Sequence, residues 1–141
     1  MDAARMLVGR DPRYQRRWLA VAVALGAACS ALLGAALPNP GPWYVGGAAQ
    51  VGLVAVSVAL LALGFGVGVV LLVDFALLFP AYYVRAQSVG IGFRTPMEHA
   101  LPQAAVDAAL LGLVGVALWL VARRVVGPAA LARLTGRLRS E

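Results

Sequence analysis

Between Val45 and Val84 the chain runs for forty residues with one charged side chain, Asp74. As a single straight α-helix this stretch would be roughly 60 Å long, about twice the ~30 Å hydrocarbon core of a bilayer. Either the helix projects far out of the membrane or the segment is broken. The alternate glycines of Gly64-Phe65-Gly66-Val67-Gly68 mark the break, because glycine weakens a helix by losing the most backbone freedom on ordering. Two spans are predicted, near 45–63 and 67–84, with Pro80 kinking the second close to its end and Tyr82 and Tyr83 at an interface.

The flanks fit the same reading. Residues 1–17 are polar and basic, with Arg5, Arg10, Arg13, Arg16 and Arg17 against Asp2 and Asp11; Asp11-Pro12 resembles a helix start, Asp11 as N-cap and Pro12 first. Residues 18–37 are apolar and long enough for one span, with Trp18 at its edge. Gly26, Ala27, Ala28, Ser30, Gly34 and Ala35 within it suit close helix–helix approach in lipid. Cys29 in this run reads as a buried, inert thiol. Residues 38–44, with three prolines, break the helix. Residues 85–102 are the internal polar stretch, and Thr95-Pro96-Met97-Glu98 has the form of a capping box opening a short helix. A last span is expected over 103–122, opened by Pro102 and carrying Asp107 about a turn and a half in. Beyond it, residues 123–141 alternate arginine with leucine as a surface-lying amphipathic helix would.

Composition excludes the soluble alternative. The chain is 62% hydrophobic and 13% charged, where soluble domains are about 45–50% and about 25%. Its mean hydropathy is +0.84. The expected fold class is therefore all-α: a polytopic helical membrane protein of about four transmembrane helices. It divides into a basic N-terminal segment (1–17), one transmembrane helical domain (18–122) and a basic tail (123–141). Three spans plus a re-entrant segment is the alternative, since irregular backbone at membrane depth is tolerated only where protein or a wet cavity covers it. The net charge of +6 comes from arginines, with no lysine, and they flank apolar runs. Four spans put both arginine-rich ends in the cytoplasm, as the positive-inside rule prefers; three would separate them. The all-arginine basic set and the Ala, Val, Leu and Gly content point to a high-GC bacterial genome, hence to a bacterial inner membrane. No basic face interleaved with exposed aromatics suggests nucleic-acid binding. The first span follows the arginines with no cleavage site at its end, so it reads as retained rather than as a signal peptide.

Few residues can carry chemistry. Asp74 is the sharpest: a carboxyl near the middle of a span is costly and marks a proton or cation path, or a polar contact holding a neighbouring helix. Asp107 near a helix N-terminus is favourable in itself, and Arg85 or Arg94 from the connecting loop are its expected ion-pair partners. Glu98-His99 is the one Glu/His pair, but adjacent helical residues point in different directions, and a zinc site needs three or four ligands where a single His is present. An acid–base role for His99 with Glu98 and Asp107 is the remaining enzymatic reading. No cofactor or metal pattern occurs. The glycines at 46, 47, 52, 64, 66, 68, 112 and 115 read mostly as packing residues, Gly112 and Gly115 on one helix face.

The run Leu101-Pro102-Gln103-Ala104-Ala105-Val106-Asp107, followed by a span with Gly112 and Gly115, resembles the stage II sporulation protein M family of small bacterial membrane proteins, as do Leu63 to Gly68 and Leu71-Leu72-Val73-Asp74-Phe75 upstream. That family shows Leu-Pro-His-Gly, two residues, then Glu, and a glycine-studded span ending in Asn-Gly. Here Gln103 stands for His, Ala104 for Gly, Asp107 for Glu, and Asp74-Phe75 for Asn-Gly. The resemblance covers about the last two-thirds of the chain. It implies a non-enzymatic scaffold or transporter companion, with Gln103 and Asp107 at the positions of the family's acidic-proline motif. The expected function is accordingly a non-enzymatic subunit or scaffold of a larger inner-membrane assembly. Its partners would be lipid, copies of itself or other membrane subunits. A small oligomeric transporter or channel with Asp74 on the ion path is the competing class.

Overall fold

The computed structural model describes residues 13–37, 43–88 and 95–126. They form four helices: α1 (Arg13–Ala36), α2 (Trp43–Ala62), α3 (Val67–Ser88) and α4 (Pro96–Val126). All four are long and apolar enough to cross a membrane. The Asp11-Pro12 helix start, the prolines of 38–42, Arg94 and the tail from 127 onward lie outside the described residues.

The break in the long apolar run falls at the glycines, and its chemistry is explicit. α2 ends in a Schellman motif. Gly64 takes φ +92°, a left-handed conformation that costs a side-chain-bearing residue about 1–2 kcal/mol. The Phe65 N–H donates to the Leu60 carbonyl at 3.0 Å and the Gly64 N–H to the Leu61 carbonyl at 3.1 Å. The motif's usual apolar contact is also met, since Leu60 and Phe65 are buried in one cluster with Val70 and Val73. The Gly66 carbonyl then accepts from Val69 and Val70 and so opens α3. Four residues reverse the chain, and only such a compact turn leaves both halves long enough to span.

The last helix differs from expectation. α4 begins at Pro96 and runs 31 residues without interruption, so Pro102 lies inside it rather than at its start. The capping box is present: the Glu98 carboxylate accepts from the Thr95 N–H at 2.8 Å, and Thr95 Oγ1 accepts from the Glu98 N–H at 3.2 Å. With the first turn held, Pro102 removes only the donor for the Glu98 carbonyl, at an exposed position near the helix end where water can replace it. Arg123 and Arg124, assigned to the tail by sequence, occupy the last turn of α4.

α3 is the hub. It packs along α1 on one side and α4 on the other; α2 packs mainly on α4, and α1 and α2 hardly touch. Small residues make these seams. A Cβ on Gly26 would come within 2.5 Å of Leu77, and one on Gly34 within 2.9 Å of the Ala81 carbonyl oxygen. On α4, Ala100, Ala104, Ala108 and Gly112 recur every fourth residue and are all buried. Close approach of this kind is how helices associate where lipid removes the hydrophobic drive between them. Cys29, one residue round from the Ser30 side of α1, is exposed rather than buried. Gly46, Gly47 and Gly52 also depart from the packing role expected of them: a Cβ on any of the three would meet nothing within 4 Å.

Contacts fix the helix directions. Gly26 and Gly34 meet Leu77 and Ala81 in rising order, so α1 and α3 are parallel; Asp74 and Tyr82 meet Gly112 and Asp107 in falling order, so α3 and α4 are antiparallel. Arg17 at the start of α1 and Arg123 and Arg124 at the end of α4 therefore lie at the same end of the bundle.

Candidate functional site

Two polar clusters sit inside this apolar frame, one toward each end. The first is Asp74, fully buried seven residues into α3. Its Oδ2 lies 2.7 Å from the Ser57 hydroxyl of α2, itself fully buried. Two glycines of α4 leave the room. A Cβ on Gly112 would stand 3.3 Å from Asp74 Oδ2, and one on Gly115 would stand 2.5 Å from Ser57 Cβ. Sequence reasoning saw these glycines as one face. The structure shows why they are needed: α4 covers the Ser57–Asp74 pair with backbone alone.

Hydrogen counting defines what this pair can do. The Ser57 oxygen is also 3.0 Å from the Leu53 carbonyl, and a hydroxyl has one hydrogen to give. With an ionised Asp74, Ser57 donates to the carboxylate and leaves Leu53 to its helical bond. With a proton on Oδ2, the acid donates to Ser57, which donates on to Leu53. The same heavy-atom geometry serves both states. Asp74 Oδ1 is buried with no hydrogen-bond partner among the described residues.

The second cluster lies toward the other end. The Tyr82 hydroxyl of α3 donates to Asp107 Oδ2 of α4, and Gln103 Nε2, one turn before Asp107, donates to the same oxygen at 3.3 Å. Asp107 is eleven residues into α4, deeper than expected, because the helix begins before Pro102. Tyr82 and Gln103 are hydrogen-bond partners of Asp107 that sequence reasoning did not name; of the arginines expected to pair with it, Arg94 lies outside the described residues. A third cross-link joins α1 to α3: the Ser30 hydroxyl donates to the Leu77 carbonyl, three residues before Pro80. A proline ring disturbs the carbonyls of the preceding turn, which leaves them open to such a donor.

The remaining candidates are not drawn together. Glu98 serves the cap of α4, and His99 beside it is exposed. Asp107 is eight residues from His99 on the same helix, about 12 Å along the axis. No group of three or more His, Cys, Asp or Glu that could hold a metal ion occurs among the described residues. The partners that sequence reasoning missed are Ser57 and Tyr82. Ser57 had a usable signal, since it and Asp74 stand nearly symmetrically about Phe65, the centre of the Gly64–Gly66 turn, as facing residues of a helical hairpin do.

A cleft of about 450 Å³ opens between α1 and α2, floored by α3. Gly26, Ser30 and Gly34 form one wall, Gly46, Gly52 and Val56 the other. Gln50, Tyr82 and Arg85 also line it. Asp74 is not part of it.

Among the described residues the fold and these clusters define a class: an all-α bundle of four helices long and apolar enough to cross a membrane, cross-linked by side-chain hydrogen bonds. No known protein family, curated protein or solved structure matches the chain.

Proposed function

We propose that the chain is a multi-pass protein of a bacterial inner membrane with both ends in the cytoplasm, and that it works as a non-enzymatic subunit or scaffold of a larger membrane assembly. The observation that carries this is the use of its intramembrane acids. Asp74 and Asp107 each hold one helix to another, through Ser57 and Tyr82, and neither lines the cleft between α1 and α2. The bundle is also thin: α1 is held essentially by α3, and α2 mainly by α4. Its outer faces, with Leu25, Leu32, Val51, Leu110 and Leu113 exposed, ask for lipid or other subunits. The common end of the arginines supports cytoplasmic termini by the positive-inside rule. The resemblance to the sporulation family, resting on Gln103, Asp107 and the glycines, points the same way.

The competing reading is an oligomeric transporter that uses Asp74 as a proton or cation site. Its specific support is the buried, unpartnered Oδ1 and the energetic cost of keeping that acid. One comparison decides between them. The scaffold reading expects Asp74→Asn to co-purify with the same membrane partners as the wild type, and expects neither protein to conduct protons in reconstituted vesicles. Wild-type flux that disappears in an Asp74→Asn variant still able to assemble would transfer the assignment to transport.

A further inference from the structure

The buried residues of α2, Ser57 and Leu60, lie in its second half, whereas Gly46, Ala49, Gln50 and Gly52 in its first half are exposed. Between that first half and α1 lies the cleft, which runs from Gly26 to Leu37 along α1 and from Val45 to Val56 along α2. Both runs are roughly 16 Å at 1.5 Å per residue, about half of the ~30 Å hydrocarbon core. They lie toward the end of the bundle opposite Arg17, Arg123 and Arg124. Two features of α2 here have no use within one chain. Gln50 lines the cleft about 11 Å along from the start of α2 and makes no hydrogen bond among the described residues. A glutamine within a span ordinarily bonds to a neighbouring helix. Gly46 and Gly52 weaken the helix they sit in, yet a Cβ on either would meet nothing within 4 Å.

We infer that the cleft face of α2 is the interface of a homodimer: the first half of α2 from a second copy of this chain lies in the cleft, with the two Gln50 side chains hydrogen-bonded to each other. The inference deepens the scaffold reading and rests on its membrane placement. Symmetry and polar complementarity select this occupant. Both copies take the orientation that the arginines set, so the two-fold axis of a dimer runs along the membrane normal and equivalent residues stand at equal depth. The cleft face then meets its own copy, and Gln50 meets Gln50. A carboxamide carries both donors and an acceptor, so two of them across a two-fold axis complete a pair of hydrogen bonds. A lipid chain in the same place would leave the amide unpaired. Shape agrees. Counted out to its open mouth, the cleft holds about 1,290 Å³, and a helix about 10 Å across needs roughly 1,200 Å³ over the same length. Of the segments at this depth, those of α3 and α4 are taken up by seams within the chain. Residues 26–37 of α1 carry Leu32, Leu33 and Leu37, whereas Gly46-Gly47-Ala48-Ala49-Gln50-Val51-Gly52 is slim. The glycines of α2 thereby acquire a reason, since small residues let two helices approach closely in lipid.

The test uses the full chain carrying Cys29→Ser, reconstituted into phosphatidylcholine vesicles. One cysteine is then introduced as Ala49→Cys or Leu53→Cys, which line the cleft, or as Val51→Cys or Ala55→Cys, which do not. On mild oxidation the first two should form disulfide-linked dimers and the last two should not, because only equivalent residues on the shared face come within disulfide reach. Dimer affinity in the bilayer, read by energy transfer between labelled chains on dilution with lipid, should fall by roughly ten- to a hundredfold in Gln50→Leu as two interhelical hydrogen bonds are lost. Gln50→Asn, which keeps the amide, should recover most of that loss, and Gly46→Leu, which thickens the inserted helix, should abolish the dimer. Cross-linking as strong from Val51→Cys as from Ala49→Cys would overturn the proposal, as would a Gln50→Leu dimer as tight as the wild type or a chain that stays monomeric. In native membranes, an Ala49→Cys adduct with a different protein in place of the dimer would give the cleft to another subunit. Any of these outcomes in a chain that inserts and still co-purifies with its assembly refutes the dimer and leaves the scaffold reading standing; a chain that does not insert refutes the membrane placement and the dimer with it.

Discussion

The seam between α1 and α3 should fail at Gly34. In Gly34→Ala the new methyl group would stand 2.9 Å from the Ala81 oxygen, 3.0 Å from its Cα and 3.4 Å from its carbonyl carbon. Carbon–carbon contacts are comfortable at about 3.5–4.0 Å, so the two helices must part by about half an ångström to one ångström. These are backbone atoms and cannot swing aside. The separation also pulls at the Ser30–Leu77 hydrogen bond one turn away. Overpacking of this kind costs about 1–3 kcal/mol. Alanine also gains about 0.5–1 kcal/mol over glycine within a helix, which would mask part of the loss. Gly47→Ala supplies the correction, because its Cβ meets nothing within 4 Å. The difference between the two variants isolates the clash, and it should be about 1–3 kcal/mol, or roughly 5- to 150-fold in the unfolding constant. Steric trapping of the doubly tagged chain in bilayers measures that constant directly. If Gly34→Ala is as stable as Gly47→Ala to within about 0.5 kcal/mol, α1 and α3 do not approach as described.

Two further outcomes follow from the hairpin of α2 and α3. A double-mutant cycle of Ser57→Ala and Asp74→Ala should show a coupling of about 0.6–1.7 kcal/mol in unfolding free energy; additive losses would mean that the two side chains do not bond. Gly64→Ala should cost about 1–2 kcal/mol, because φ +92° is strained for any residue with a Cβ, and Gly64→Asn should cost less, since asparagine tolerates the left-handed region. A Gly64→Ala protein as stable as the wild type would argue against the Schellman turn.

The sequence made the number of helices and the place of the reversal legible, because both follow from one length argument. An apolar run twice as long as a bilayer is thick must turn, and Gly64 and Gly66 are where turning is cheapest. The start of α4 was half legible. The capping box at Thr95 and Glu98 was recognised, but Pro102 was given more breaking power than it has near an exposed helix end. That error carried into the depth assigned to Asp107. Periodicity could not say which glycines face a neighbour. Gly112 and Gly52 look alike in a string of apolar residues, yet one lies against Asp74 and the other against open space. The choice depends on which helices pack together: besides the consecutive pair α3 and α4, α1 packs on α3 and α2 mainly on α4. Cys29 was misplaced for the same reason.

That order of packing bears on how the molecule is made. A ribosome releases α1 and α2 first, and these two hardly touch. The partner of α1 is α3, released third, and the main partner of α2 is α4, released last. An early hairpin thus has no seam of its own and cannot lock while synthesis continues. The main seam of α2 forms only when the final helix has left the ribosome and closes over the pair formed by Ser57 and Asp74.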